Sequence, residues 1–220
     1  EIDMLRYVAG ELSTVTGLAS RAIRGFEVED TAAAMLGFAN GALGTILLSD
    51  AAASPWTIEQ GLGESPSFPY AGESAYRFVG TSGSLEFPVL RVWTHRDAAH
   101  ANWNEPIASE PVKAFDCDPY VEQIRHLRAV VEGREQPLVS GEDGTRTLAA
   151  TLAVHESART RAPVDLARDY AAIDDARTAL RLPSLKRSPE LEVLAAEHAG
   201  RALSADVAKI DLPNVPRIHD

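Results

Sequence analysis

The sequence predicts an α+β fold: a largely antiparallel, open-faced sheet with helices packed on one face, followed by a helical C-terminal tail. Three observations carry this expectation. From about residue 12 to residue 95, short β-type segments alternate with tight-turn residues. After Asp118 the apolar residues switch to helical spacing. With 220 residues, 45% of them hydrophobic, the chain is long and apolar enough to bury a core.

The first element is helical. In Glu1 to Gly10 the apolar residues fall at 2, 5 and 8–9, and Gly10 is the expected stop, because glycine takes the left-handed cap without a Cβ penalty. The chain opens on Glu1 with no N-cap or preceding turn, as though earlier turns of the helix lay upstream. Leu12 to Ile23 follows as a β stretch interrupted by Gly17. Thr31 to Phe38 and Ala42 to Leu48 flank Asn40-Gly41, the residue pair that best tolerates the positive φ angles of a tight hairpin. Thr57 to about Gly61 reads as a further strand, and Gly63 to Pro69 as a turn-rich stretch. Tyr76 to Val79 and Leu85 to Phe87, joined through Thr81 to Ser84, form a second hairpin, with Leu90 to Thr94 continuing the sheet.

Asp118 and Pro119 open a helix that Gly133 closes, with Tyr120, Ile124, Leu127 and Val131 on one apolar stripe suited to packing on the sheet. A longer helix begins near Ser140, whose hydroxyl caps it, and runs to about Arg159. The domain is expected to span 1–166. The tail, 167–220, carries helices at 170–181 and 189–203 and an extended end with Pro213 and Pro216.

Composition narrows the function. Twenty-one basic against 32 acidic residues leave a net charge of −11, which argues against a nucleic acid or an anionic membrane as partner. The single cysteine, Cys117, rules out an internal disulfide and fits a cytoplasmic location. No apolar run approaches the roughly 20 residues of a membrane span. No GxGxxG stands between a strand and a helix, and neither a P-loop nor a GxSxG elbow is present. His95, His100 and Cys117 lie in acidic surroundings, but their spacing matches no metal site, and a solvated loop is the better reading. His155, one turn from Leu152, reads as a core histidine, and Asp3 and Arg6 as a structural ion pair. Glu29-Asp30 makes a poor general acid/base pair, since adjacent strand residues point to opposite faces. Spacing by itself identifies no catalytic, cofactor-binding or metal-binding residue.

Several segments, taken in order, resemble the C-terminal domain of the glucose–fructose oxidoreductase / inositol dehydrogenase / MocA (Gfo/Idh/MocA) family. They are Glu1 to Glu11, Val28-Glu29-Asp30 running into the Asn40-Gly41 hairpin and Thr45, Ser54-Pro55-Trp56, and the Gly63-Glu64-Ser65-Pro66 turn. Gly80 to Glu86, Asp118 to Ile124 and Pro137 to Ala158 complete the set, which spans roughly 1–166. The resemblance implies the substrate-binding and oligomerisation part of an NAD(P)-dependent oxidoreductase acting on a sugar, cyclitol or related polyol. NAD or NADP would belong to a separate Rossmann domain that this chain does not carry. The family's catalytic set is a lysine of that domain with an Asp and a His that would precede Glu1, so no residue here inherits those roles. Ser54, Trp56, Glu64, Tyr70 and Tyr76 are the candidate substrate-binding residues, with the Trp56 ring suited to a sugar face. For Trp56 and Tyr76, simple packing is the competing role. Met35, Leu36, Phe38, Ile46 and Leu48 are too apolar for two wetted faces, which points to a homodimer or higher oligomer through the sheet. A stand-alone, non-catalytic binding or oligomerisation module of the same fold is the alternative.

Overall fold

A computed structural model describes residues 1–113 and 117–179. The expected helix at 189–203 and the extended end lie outside these residues. The described chain divides into two compact units, one formed by Glu1–Ala52 with 120–179, the other by Ala53–Pro119.

The first unit holds helix α1 (Ile2–Ala9), strands β1 (Leu12–Ser20), β2 (Thr31–Phe38) and β3 (Leu43–Ser49), helices α3 (Pro119–Val131) and α4 (Gly141–Thr160), strand β8 (Val164–Asp165) and helix α5 (Ala167–Ala179). Its sheet runs β3-β2-β1-β8, antiparallel throughout. Gly10 ends α1 where expected, its N–H donating to the Arg6 carbonyl, at φ +99° and ψ −173° rather than in the left-handed cap conformation. The β2–β3 hairpin also forms as expected: Gly41 sits at φ +88°, and the Asn40 side chain accepts from the Ala42 N–H while donating to the Ala9 carbonyl.

Gly17 does not interrupt β1; it admits α4. A Cβ there would lie 2.4 Å from the Val154 carbonyl oxygen, so only glycine lets the helix backbone come this close. The contact is locked by Ser157, wholly buried, which accepts from the Gly17 N–H at 2.8 Å and donates to the Ala162 carbonyl. On this covered face Val15 pairs with Leu36, and Gly17 with Ala34, while Ala150 and Ala153 pack from α4. Ser140 caps α4 as expected, accepting from the Asp143 N–H.

Two further expectations need correction in this unit. The α3 stripe does not pack on the sheet: Tyr120, Ile124, Leu127 and Val131 are all exposed, and Ala129 is the helix's buried residue. His155 is not a core residue; it is exposed, with Nδ1 3.5 Å from the Glu29 carboxylate. The apolar strand residues divide between the two faces of the sheet. Leu36 and Phe38 are buried on the side of the sheet where α4 packs against β1, and register places Ile46 and Leu48 on that same side. Met35 points the other way, where Leu18, Leu43 and Leu47 join it as exposed residues on the face that α4 does not cover.

The second unit holds a short helix α2 (Ile58–Leu62) and strands β4 (Tyr76–Val79), β5 (Ser84–Phe87), β6 (Arg91–Thr94) and β7 (Ala108–Pro111), in an antiparallel sheet ordered β4-β5-β6-β7. The expected strand at Thr57–Gly61 is thus a helical turn. Thr57 caps it by accepting from the Gln60 N–H, and Gly63 closes it at φ +69°. The hairpin and the strand after it form where expected, but in a sheet separate from β1–β3. Among the described residues no helix is long and apolar enough to cross a membrane.

Candidate functional site

All five candidate residues fall in the second unit. Ser54 accepts from the Trp56 N–H at 3.1 Å, which fixes the bend before α2 and leaves the indole 64% exposed. Past α2, the Tyr70 ring folds back over two left-handed glycines: a Cβ at Gly63 would lie 2.9 Å from Tyr70 Cδ2, and one at Gly72 3.3 Å from the phenol oxygen. Glu64 follows Gly63 directly and is exposed, as is Tyr70. Tyr76 is half-buried, its ring centroid 6.2 Å from that of Phe78 at an interplanar angle of 15° and 6.4 Å from that of Phe87, its cross-strand partner. Tyr76 therefore has an evident packing role, whereas Trp56 and Tyr70 offer free aromatic surface.

The same unit holds a polar cavity of about 120 Å³ that spacing did not reveal. It is lined by Gly72, Glu73 and Ser74, by Arg77 of β4, Glu86 of β5 and Arg91 of β6, and by Val89. Arg77, Glu86 and Arg91 are successive cross-strand partners, so the register itself assembles them in one row. Glu86 is engaged at both oxygens, by the Trp93 indole N–H at 3.2 Å and by the Arg91 guanidinium at 3.5 Å. The alternation of charge along three short strands was the available signal, legible only once the two hairpin registers are known. None of the five candidate residues lines the cavity.

The first unit carries a different charged centre, built around Arg6. Its guanidinium is 3% exposed and reaches both oxygens of Glu11, the Asp143 carbonyl and carboxylate at 3.0 and 2.9 Å, and the Thr147 hydroxyl. Asp3 stands 3.7 Å away, the expected pair, and accepts from Thr147 at 2.8 Å. Burial works against the charge of Arg6, but the Glu11 and Asp143 carboxylates outweigh it and hold its pKa above the ordinary value. Every donor direction is occupied, so this centre fastens α1 to β1 and α4 rather than presenting a reactive group.

In the loop after β6, Asp97 caps the turn at Ala98–His100 and touches His100 Nδ1 at 2.5 Å. His100 is the main reason its carboxyl is held down at about 2. Among the described residues no three metal-ligating side chains converge. A dinucleotide cofactor would need a glycine-rich turn leading from a parallel strand into a helix. Every strand pairing among the described residues is antiparallel, so these residues do not fit that group.

Comparison with known proteins agrees with the fold. Residues 1–86 match the model of the GFO/IDH/MocA C-terminal domain, which bears out the sequence resemblance over that stretch. No curated protein matches the sequence significantly. Among solved structures, an Agrobacterium radiobacter oxidoreductase in complex with NAD+, L-tartaric acid and magnesium is 20% identical at a TM-score of 0.50, over 75% of this chain and 46% of that one. An aldose-aldose oxidoreductase from Caulobacter crescentus, complexed with glycerol, is 24% identical at 0.52, over 75% and 44%. A levoglucosan dehydrogenase bound to NADH and levoglucosan is 23% identical at 0.51, over 74% and 47%. The chain spans less than half the length of each of these structures.

Proposed function

We propose that this chain supplies the substrate-binding and subunit-pairing part of a cytoplasmic NAD(P)-dependent oxidoreductase acting on a sugar, cyclitol or related polyol. The observation that carries the reading is the family match over residues 1–86, which takes in α1, the β1–β3 sheet and the Ser54–Tyr76 candidates. A nicotinamide cofactor would be held by a separate Rossmann domain and would supply the hydride chemistry there. The residues of this chain bind and orient the polyol and exclude water from it. Trp56 offers an apolar face to the sugar ring, and Ser54, Glu64 and Tyr70 offer hydroxyl and carboxylate partners to its hydroxyl groups. Tyr76 sets the aromatic floor through its stack on Phe78.

Heteronuclear NMR of the chain with a panel of neutral sugars, cyclitols and polyols tests the reading. The expected result is a saturable shift of the Trp56 indole N–H with at least one panel member, weakened in Glu64→Gln. A panel that leaves that signal unmoved overturns the substrate assignment. NADH titrated into the same protein is expected to leave its fluorescence unquenched, because the cofactor's cradle is not formed by these residues.

Pairing uses the sheet face opposite α4. Leu18, Met35, Leu43 and Leu47 expose apolar surface there, at 69%, 60%, 88% and 74%. Burying a few hundred Å² of such surface at about 25 cal/mol per Å² favours association by several kcal/mol before entropic costs. Sedimentation at micromolar concentration should show a dimer or larger species that Leu47→Lys dissociates. A 23.7 kDa monomer for the unaltered chain would overturn the pairing.

A further inference from the structure

We propose that the polar cavity of the Ala53–Pro119 unit is a binding site for a small carboxylate, gripped by Arg77 and Arg91 and backed by the Ser74 hydroxyl. The site is separate from the sugar-binding reading and does not depend on it. A row of alternating charges across a sheet is by itself an ordinary stabilising pattern. Two observations go beyond that pattern.

The first is the imbalance of donors. Glu86 has one oxygen taken by Trp93 and the other by Arg91, so its acceptor capacity is largely spent inside the wall. Arg77 and Arg91 both line the cavity and are exposed; Arg77 carries five N–H donors and Arg91 those it does not spend on Glu86, and a guanidinium has no acceptor of its own. The second is Ser74. It is 8% exposed, and its buried Oγ has no hydrogen-bond partner among the described residues. A buried hydroxyl without a partner is uncommon in a folded protein. Ser74 lines the cavity, and a rotation about χ1 that turned Oγ toward it would let the hydroxyl donate to an oxygen held by the arginines. With Glu86 engaged, Glu73 is the one carboxylate of the lining left to face two guanidiniums, and a planar carboxylate from a ligand meets a guanidinium with two parallel hydrogen bonds.

Size and charge narrow the class. A cavity of about 120 Å³ takes a carboxylate with two or three further carbons, far less than the ~300 Å³ or more of a typical cofactor pocket. Glu73 and Glu86 line it alongside the two arginines, so the wall is formally neutral and tolerates one added negative charge better than two. Monoanionic carboxylates such as glycerate are therefore preferred over phosphate, which is largely a dianion above its second pKa.

The Trp93 indole N–H, bonded to Glu86 in the cavity wall, is a built-in reporter. In two-dimensional NMR of the full chain at constant ionic strength, sodium glycerate should shift this signal saturably, while sodium chloride should not. Arg77→Gln should weaken glycerate binding about tenfold or more, and Arg21→Gln, outside the unit, should leave it unchanged. Inorganic phosphate should bind more weakly than glycerate. If Arg77→Gln loses the dispersed spectrum of a folded chain, Ser74→Ala serves instead, with a several-fold loss of affinity expected. No saturable shift, an equal shift with chloride, phosphate binding as tight as glycerate, or a folded variant that binds normally would each overturn the proposal.

Discussion

The two units are held together in different ways. In the first, a sheet face is roofed by α4, and buried side chains arrive from every direction: Ile2 and Leu5 from α1, Leu12 and Val15 from β1, Leu36 and Phe38 from β2, Ala150 and Ala153 from α4, Leu166 and Tyr170 from the chain beyond it. In the second, Val92 is the one strongly apolar side chain classed as buried among the described residues; Ser74, Pro88 and Gly61 are its buried neighbours in the unit. There the shape comes from backbone ladders, glycine contacts and partly exposed aromatic stacks. The lesson is a division of labour. A unit with a sealed core can hold its charged centre fixed and fully paired, as it does at Arg6. A unit with little core leaves aromatic faces and arginine donors open, which is what a binding surface needs.

The largest expected effect breaks the first unit at its charged centre. Arg6→Ala removes the cation that serves Glu11 and Asp143 and leaves a buried gap among α1, β1 and α4. Loss of one partner from a buried ionic network costs about 3–5 kcal/mol. Glu11 and Asp143 are 30% and 37% exposed, and water can reach them once the arginine is gone, so the low end of that range is expected. Amide exchange at Val15 and Leu36 should accelerate by the corresponding factor, about 100-fold or more. Unchanged protection would show that the hydrophobic contacts alone fasten α1.

Much of this first unit could be read in the sequence, because its signals are local. The stop at Gly10, the Asn40-Gly41 turn and the Ser140 cap are each made within four residues, and each stands where expected. The unread parts depend on distant partners. Gly17 looks like a strand breaker until Ser157, 140 residues on, is seen to bind its N–H. The α3 stripe has the right spacing for a buried face, but periodicity states only which residues share a face, not whether anything covers it. His155 fails similarly: its neighbour Leu152 is itself 57% exposed, so proximity to an apolar residue did not imply a core. Of the candidate site, the aromatic residues were visible as types in a turn-rich stretch. The Arg77–Glu86–Arg91 row was not, because it exists only through the register of β4, β5 and β6.

A smaller effect sharpens the contrast from the other side. Val92→Ala removes two methyl groups from the second unit's own buried apolar residue, which is 5% exposed. At about 0.8 kcal/mol per carbon the loss is about 1–2 kcal/mol, below the effect expected at Arg6. The affected amides should be those of β5 and β6, with Leu85 and Val92 as cross-strand partners. A loss as large as that of Arg6→Ala would mean that the second unit conceals a tighter core than its exposures suggest.

The smallest effect separates two carboxylates that look alike electrostatically. Asp30 in the first unit and Asp97 in the second are both held below the usual carboxylate range. For Asp30 the main cause is the Arg24 N–H, aided by the Thr31 hydroxyl and the Ile23 N–H. For Asp97, at about 2, it is the hydrogen bond with His100. A carboxyl whose folded pKa is depressed adds stability that is fully present above its unfolded pKa, near 3.9, and is lost as pH falls through the folded value. Both residues therefore help at pH 7 and cease to help in acid. Asp30 is 4% exposed and organises the backbone from Ile23 to Thr31 at the edge of β2, so Asp30→Asn should visibly flatten the acid limb of a pH–stability profile. Asp97 stands in an exposed loop, where water takes over its hydrogen bonds. Asp97→Asn should leave the midpoint of thermal unfolding at pH 7 almost unchanged, and the profile between about pH 4 and pH 2 nearly superimposable on that of the unaltered chain. A flattening equal to that of Asp30→Asn would place the 96–100 loop among the elements that hold the second unit together, and would erase this part of the contrast.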